Sequence, residues 1–343
     1  MKLICGVSGI NTADNPGPGF GIVRSILEID SEVKCFGLAY DALEPGIYLR
    51  DFIEKSFLMP YPSGGREPYL NRLMYIKENY GLDLVISALD SELPLYIESK
   101  EQLAEAGIRT FLPDKEHYDL RAKDKLVEVA DCIGIEYPNT RVAKSLEEFI
   151  SAVSEIGFPL LVKGIFYRAY RCHHYQQALQ SFDSLVAEWG YPVLVQKAVN
   201  GEEMNVIGLG DGEGGSLGLV GLKKLTVTAQ GKIWTAVSVK NEPMLEAARK
   251  FVKKFKWRGG FELECIVQND DVYLIEINPR FPAWVYFATA LGINLPYRLL
   301  LTAMGKDVDR GSDYEAGKLF VRYTDELICD MDLFQKMATR GEA

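Results

Sequence analysis

Residues 259 to 280, GGFELECIVQNDDVYLIEINPR, hold the densest set of groups able to do chemistry in this 343-residue chain. Read as two strands, alternation sets Phe261, Leu263, Cys265 and Val267 on one face and Glu262, Glu264 and Ile266 on the other. Glu276 and Asn278 share a face of the second strand. If Asn269 to Asp271 form the hairpin turn, with pairing centred on residue 270, Glu264 lies directly across from Glu276. Two carboxylates so opposed repel and weaken a hairpin unless positive charge sits between them. A hard divalent cation resolves the conflict, because Mg2+ takes carboxylate and amide oxygens and is commonly held by one or two carboxylates plus substrate phosphates. Arg280, two residues beyond Asn278, could then hold a phosphate oxygen. A solvated acidic strand face would account for any one of these glutamates, but poorly for the whole E-x-N-P-R string with a partner Glu.

Two lysines stand in comparable places. Lys163 ends the apolar run Leu160 to Val162, where a cation is costly unless an anion meets it, and Lys123 is expected to open a helix of the same unit. Taken singly, each has a plain reading, a snorkelling lysine for the first and an exposed helix lysine for the second. The six cysteines form no CxxC pair and read as buried thiols. Cys172 stands beside His173 and His174, but neighbours on a strand point to opposite faces, which argues against one shared metal ion.

The elements that must position these groups follow from periodicity. Apolar runs at residues 3 to 7, 33 to 38 and 82 to 88 alternate with helical patterns at 20 to 29, 67 to 80 and 92 to 106, a βαβ rhythm that implies a parallel sheet. The loop SGINTADNPGPGFG, residues 8 to 21, has glycines that would let a ligand approach a helix N-terminus, although it is not a clean GxGxxG and a structural turn serves as well. A second unit starts near residue 116: an amphipathic helix, a helix at 145 to 157, a strand FPLLVKGIF, a helix at 175 to 188 and a strand PVLVQKAV. Antiparallel strands are expected at 204 to 209, 217 to 228, 232 to 239, 261 to 268 and 272 to 278, with a helix at 242 to 256. The formal charge of -10 speaks against a nucleic-acid surface, and no run of apolar residues is long enough for a membrane span or a signal peptide, so a cytoplasmic protein is expected.

In order along the chain, RAKDK, GIEYP, GFPLLVK, LVQKAVNGEE, GGFELE and LIEINPR resemble the ATP-grasp superfamily, in particular carbamoyl-phosphate synthetase large chain, biotin carboxylase and related carboxylate-amine ligases. The resemblance covers roughly residues 1 to 305. It implies an α/β and α+β architecture, with a parallel-sheet domain at residues 1–115, a small ATP-binding lobe at 116–198 and a C-terminal lobe at 199–343 with an antiparallel sheet and the metal site. It further implies that Lys123 and Lys163 reach ATP phosphates, that Gln196, Lys197, Ala198 and Val199 form the hinge receiving adenine, and that Glu203 bonds the ribose. Glu264, Glu276 and Asn278 match the metal ligands, for Mg2+ or in its place Mn2+, and Arg280 the residue turned toward the γ-phosphate or acyl phosphate.

The implied chemistry is attack of a carboxylate on ATP, followed by capture of the acyl phosphate by an amine. Partners would be a small carboxylate and an amine or a peptide, with no nucleic acid or membrane, and a homodimer is the assembly common among such proteins. Ser8 to Gly21, Asp90 to Glu92 and Arg322 are candidates for the acceptor site, with Asn11, Asp14 and Asn15 as polar loop groups. One departure stands out: a glycine-rich loop usually follows the second lysine, and here residues 164 to 177 read GIFYRAYRCHHYQQ. Arg168, Arg171 and His173 could donate to phosphate instead. That departure motivates the alternative of a catalytically weakened or silent Mg-ATP-binding regulatory subunit. A nicotinamide-dependent Rossmann enzyme leaves the EINPR motif unexplained.

Overall fold

The computed structural model describes residues 3–11, 16–165, 168–228 and 231–343; Asp14 and Asn15 of the first loop lie outside the described residues, as do Phe166 and Tyr167 after Lys163. The chain divides into two compact units, one of Met1–Arg121, Met204–Glu264 and Ile277–Ala343, the other of Ala122–Glu203 and Cys265–Glu276.

The first unit opens with four strands, β1 (Ile4–Ser8), β2 (Lys34–Ala39), β3 (Lys55–Leu58) and β4 (Leu84–Ile86), in a parallel sheet ordered β3-β2-β1-β4. Its strands are short apolar runs with Cys5, Val7, Cys35, Leu38 and Leu84 buried, as parallel sheets require. The helix Gly19–Ile29 after β1 turns Ile22, Val23 and Ile26 inward. Its start is set by backbone packing against the end of β1, with the Gly19 amide donating to the Gly9 carbonyl at 2.9 Å. A Cβ on Gly17 would stand 2.3 Å from the Gly9 oxygen, and one on Gly19 2.1 Å from the Ser8 oxygen. Close approach of backbone to backbone therefore explains these two glycines without a ligand. Residues 341–343 lie along the outer edge of β3, where the amides of Ser56 and Leu58 donate to the carbonyls of Ala343 and Gly341, each at 2.8 Å.

In the second unit, β5 (Thr140–Ala143), β6 (Leu160–Gly164), β7 (Ala169–Cys172) and β8 (Val193–Lys197) form an antiparallel sheet ordered β5-β8-β6-β7. Helices Leu146–Ile156 and Tyr175–Trp189 pack their apolar sides together, with the rings of Phe149 and Phe182 stacked at 4.3 Å. The first of these helices starts at Ser145, whose side chain accepts from the Glu148 amide.

The remaining strands are β9 (Glu202–Asp211), β10 (Ser216–Val227), β11 (Ile233–Val239), β12 (Arg258–Gln268), β13 (Asp271–Asn278) and β14 (Leu319–Val321), in a six-stranded sheet ordered β13-β12-β9-β10-β11-β14. β10 pairs antiparallel with β9 and β11, and β11 with β14. The first unit shares one core, in which Ile22 and Ile26 join Ile207, Val220, Val285 and Leu299. The mixed parallel and antiparallel architecture is the one expected.

Three local expectations need correction. Lys123 does not open a helix: the helix is Leu126–Ile133, and Lys123 lies in the turns before it. The segment after Lys163 is not wholly a loop, because Ala169 to Cys172 form β7, with Lys163 across from Ala169 and Leu160 across from Cys172. Its Tyr, Arg and Cys residues mask a strand whose inward position is Cys172, buried while Ala169 and Arg171 are exposed. Lastly, residues 92 to 106 form two helices, Leu93–Glu98 and Lys100–Glu105, broken at Ser99.

Candidate functional site

In the first unit, four adjacent strands bring one polar group after another to a common cluster. Glu264 on β12 accepts from Lys224 Nζ on β10 at 2.7 Å through Oε2, and from Asn278 Nδ2 on β13 at 3.1 Å through Oε1. Asn278 Nδ2 also donates to Glu262 Oε2 at 2.9 Å, so residues 262, 264 and 278 share a face, as alternation requires. The other oxygen of Glu262 accepts from Asn205 Nδ2 on β9 at 2.6 Å and from Trp284 Nε1 at 2.7 Å. Arg280 Nη2 donates to Asn278 Oδ1 at 3.3 Å, and Arg280 Nε and Nη2 both reach Asp90 Oδ2, at 3.0 and 2.9 Å. Asp90 follows β4, at the carboxyl end of the parallel strands where ligands of open α/β sheets bind.

The electrostatics separate the two glutamates. Burial pushes the Glu264 carboxyl up, but the ammonium of Lys224 and the charge of Arg280 outweigh it, and the group is held below the ordinary carboxylate range. Glu262 is 3% exposed, and burial, reinforced by the charge of Glu264, pushes it up. Burial pulls Arg280 down, yet Asp90 and Glu262 more than compensate and hold it above its usual value. Lys232, just before β11, is depressed by burial and by Arg280. The cluster thus carries an ionised carboxylate, an amide oxygen and a permanent guanidinium on rigid elements. Among the described residues no group of three or more His, Cys, Asp or Glu is gathered as a self-sufficient metal cage. A carboxylate and an amide oxygen fit Mg2+, which keeps waters and phosphate oxygens in its shell, and they do not fit a metal that demands a full protein shell.

The second unit holds another set. Lys163 Nζ donates to Gln196 Oε1 at 2.6 Å, and Gln196 Nε2 to Thr140 Oγ1 at 2.8 Å, so the buried Gln196 amide holds the lysine over the sheet. Lys123 Nζ donates to the Gly164 carbonyl at 2.7 Å. Burial lowers the Lys123 pKa, and the charge of Glu276 opposes that. The amides of Lys197 and Ala198 donate to the carbonyls of Asn139 and Pro159 at 2.8 and 3.2 Å. Val199 is half-buried, and Glu203 is exposed at the start of β9. Arg168 pairs with Glu188 at 3.1 Å and Arg171 donates to Asn200 Oδ1, so both guanidiniums are engaged within the unit. Cys172 is buried with its thiol toward the Tyr170 carbonyl.

The structure therefore joins Glu264, Asn278 and Arg280 in the first unit, and gathers Lys123, Lys163 and Gln196 in the second, where Glu276 also belongs. Lys224, Asn205, Trp284 and the partnership of Glu262 were not singled out from sequence. Only the shared face of Glu262 and Glu264 gave a signal. Of the acceptor candidates, Arg322 donates to the Ala283 carbonyl at 3.0 Å, and Glu92 is fully buried, accepting from Ser8 Oγ at 2.5 Å, Ser87 Oγ at 2.8 Å and the Tyr40 hydroxyl. Burial pushes the Glu92 carboxyl up against those hydroxyl donors. It ties the ends of β1, β2 and β4 together.

The family described as ATP-grasp in the biosynthetic pathway with Ter operon matches residues 191–325. The arginine-specific large chain of carbamoyl phosphate synthase from Bacillus subtilis is 24% identical over 300 residues, 79% of this chain and 28% of that protein. The carbamoyl phosphate synthase large chain of Thermus thermophilus is 26% identical over 263 residues, 68% of this chain and 25% of that protein. The chain thus spans about a quarter of the length of these curated relatives. Among solved structures, the biotin carboxylase domain dimer of Hydrogenobacter thermophilus 2-oxoglutarate carboxylase, in complex with MgADP, ADP and bicarbonate, aligns with a TM-score of 0.69 at 16% identity, over 92% of this chain and 73% of that one. N5-carboxyaminoimidazole ribonucleotide synthetase from Thermus thermophilus aligns with a TM-score of 0.66 at 14% identity, over 92% of this chain and 81% of that one.

Proposed function

We propose that this chain, which has the fold of the ATP-grasp enzymes and resembles that superfamily in sequence, is a ligase that spends Mg-ATP to join a carboxylate to an amine. The observation that carries the reading is the cluster of ionised Glu264, Asn278 and half-buried Arg280 on one unit, an oxygen pair beside a fixed cation. A substrate carboxylate oxygen attacks the γ-phosphorus of ATP, and ADP leaves with the bonding pair. The amine nitrogen then attacks the acyl carbon, phosphate departs, and the nitrogen gives its proton to water. Such chemistry asks the protein for positioning and charge neutralisation more than for covalent help.

In this reading Lys123 and Lys163 hold ATP phosphates, Gln196 to Val199 receive adenine, Glu203 the ribose, and Arg280 the transferred phosphoryl oxygen. Glu264, Glu276 and Asn278 would hold Mg2+, or Mn2+, which when bound neutralises phosphate charge. The functional division we propose is residues 1–115 for the acceptor, 116–198 and 199–343 for the nucleotide and metal. No helix among the described residues is long and apolar enough to cross a membrane, and a cytoplasmic homodimer acting on small molecules completes the proposal.

One observation favours the second reading, a catalytically weakened or silent nucleotide binder: Arg168 and Arg171 are engaged by Glu188 and Asn200 and do not replace the amides of a glycine-rich loop. Release of ADP and phosphate from Mg-ATP, assayed across amino acids and small carboxylates with Glu276→Gln as the blank, separates the two. Release stimulated by one carboxylate with an amine supports the ligase. Nucleotide-dependent thermal stabilisation without release supports the silent binder, and equal release by Glu276→Gln overturns the metal assignment.

A further inference from the structure

The Mg-ATP reading needs the Asn278 side chain to offer its oxygen, and the two ends of an amide are nearly equal in size and shape. Only the oxygen can bind a cation. In this structure both hydrogens of Asn278 Nδ2 are spoken for, by Glu262 Oε2 at 2.9 Å and Glu264 Oε1 at 3.1 Å, while Oδ1 faces Arg280 Nη2 at 3.3 Å. A flipped amide would set its oxygen against two carboxylates and its NH2 against a guanidinium, so every contact would change from favourable to unfavourable.

We infer that Glu262 is a positioning residue that keeps the Asn278 amide oxygen turned away from the two glutamates and toward Arg280, the side on which a phosphate-bound cation would meet it, an inference that rests on the Mg-ATP reading above. Glu264 alone cannot fix it, because Glu264 is itself a proposed ligand whose oxygens a metal would claim. Glu262 is 3% exposed and is anchored through its other oxygen by Asn205 at 2.6 Å and Trp284 at 2.7 Å, so it stays in place whether or not the site is filled. The position also needs a carboxylate. Three N–H donors converge on Glu262, two on Oε1 and one on Oε2. A carboxylate accepts on both oxygens, whereas glutamine would turn an NH2 toward either Asn278 or the Asn205–Trp284 side. Outer-shell partners of this kind orient metal ligands and are worth about 10–100-fold in metal affinity.

The test uses Mn2+ as the probe, with binding to the full chain read by electron paramagnetic resonance in the presence of ATP. Glu262→Gln should weaken Mn2+ binding about 10–100-fold while leaving metal-free nucleotide affinity, measured in EDTA, unchanged. Adding Asn278→Asp to Glu262→Gln should restore Mn2+ affinity, because aspartate has an oxygen at either end. Asn278→Asp alone sets the gain from the added charge, and a merely structural role for Glu262 predicts that Glu262→Gln weakens Mn2+ binding equally with Asn or Asp at position 278. Should Glu262→Gln not fold, Glu262→Asp, whose shorter carboxylate withdraws from Asn278, carries the same expectation and the same rescue. Wild-type affinity in the single variant, or no recovery in the double, overturns the inference. Failure of the wild-type chain to bind Mn2+ with ATP would instead remove the metal reading on which it stands.

Discussion

Lys224→Met isolates the charge balance of the first unit's cluster. Lys224 Nζ lies 2.7 Å from Glu264 Oε2, and the two side chains are 10% and 26% exposed. Removing one partner of a fully buried pair costs about 3–5 kcal/mol, because the remaining charge is stranded. Glu264 keeps some solvent and the Asn278 hydrogen bond, so the expected loss is smaller, about 2–3 kcal/mol at neutral pH. For a chain of 343 residues that corresponds to a fall in melting temperature of about 3–4 °C. The sign with pH follows from the direction of the shift. Glu264 is held below its ordinary value in the wild-type fold, so its contribution is present above about pH 4.3 and is lost as pH falls through the folded value. Without Lys224, burial pushes Glu264 up, and stability is then lost as pH rises through that raised value. The gap between wild type and variant should therefore be widest at neutral pH and narrow toward pH 4. Calorimetric melting of both proteins from about pH 4 to pH 8 reads this directly. A pH-independent gap, or none, would show that the ion pair does not govern the ionisation of Glu264.

Two further outcomes follow from the same contacts. Lys163→Met should weaken nucleotide binding, read by displacement of a fluorescent ATP analogue, with little change in the melting temperature of the ligand-free chain; undiminished affinity would dismiss Lys163 as a phosphate contact. Glu92→Ala should cost about 3 kcal/mol or more, since three hydroxyl donors lose their acceptor at about 1 kcal/mol each, and urea denaturation should show it as a lowered midpoint.

The elements that carry the site were legible because their periodicity is strong. β12 alternates Phe261, Leu263, Cys265 and Val267 against Glu262 and Glu264, the helix Glu242–Phe255 follows its expected bounds of 242 to 256, and the first strands keep the βαβ rhythm. The cluster around Glu264 was only half legible. Asn278 and Arg280 lie close in sequence to one another, but Lys224 and Asn205 reach the same place through the register of β9 and β10, for example Asn205 across from Leu222, which no local pattern encodes. Lys224 in particular reads as one of two adjacent surface lysines. β7 was hidden because Tyr170 and Arg171 carry no apolar alternation, and the start of the helix after Lys123 was misplaced because RAKDK has helix-favouring composition but folds as turns. Gln196, matched to the adenine hinge, gave no hint that its side chain would bridge Lys163 and Thr140.

The three-residue segment along β3 bears on how the chain reaches this state. β3 is the outermost strand of the parallel sheet, and the groups that cover its edge lie almost 300 residues later, where Ala343 pairs with Ser56. The six-stranded sheet likewise waits for β12 to β14 before it closes. A nascent chain therefore presents an uncovered parallel edge until residues 341–343 have emerged, in a fold whose sheets pair segments far apart in sequence. Both circumstances slow folding and favour edge-to-edge association. Production of this protein should consequently be governed by protection of that early sheet during translation more than by the stability of the finished molecule.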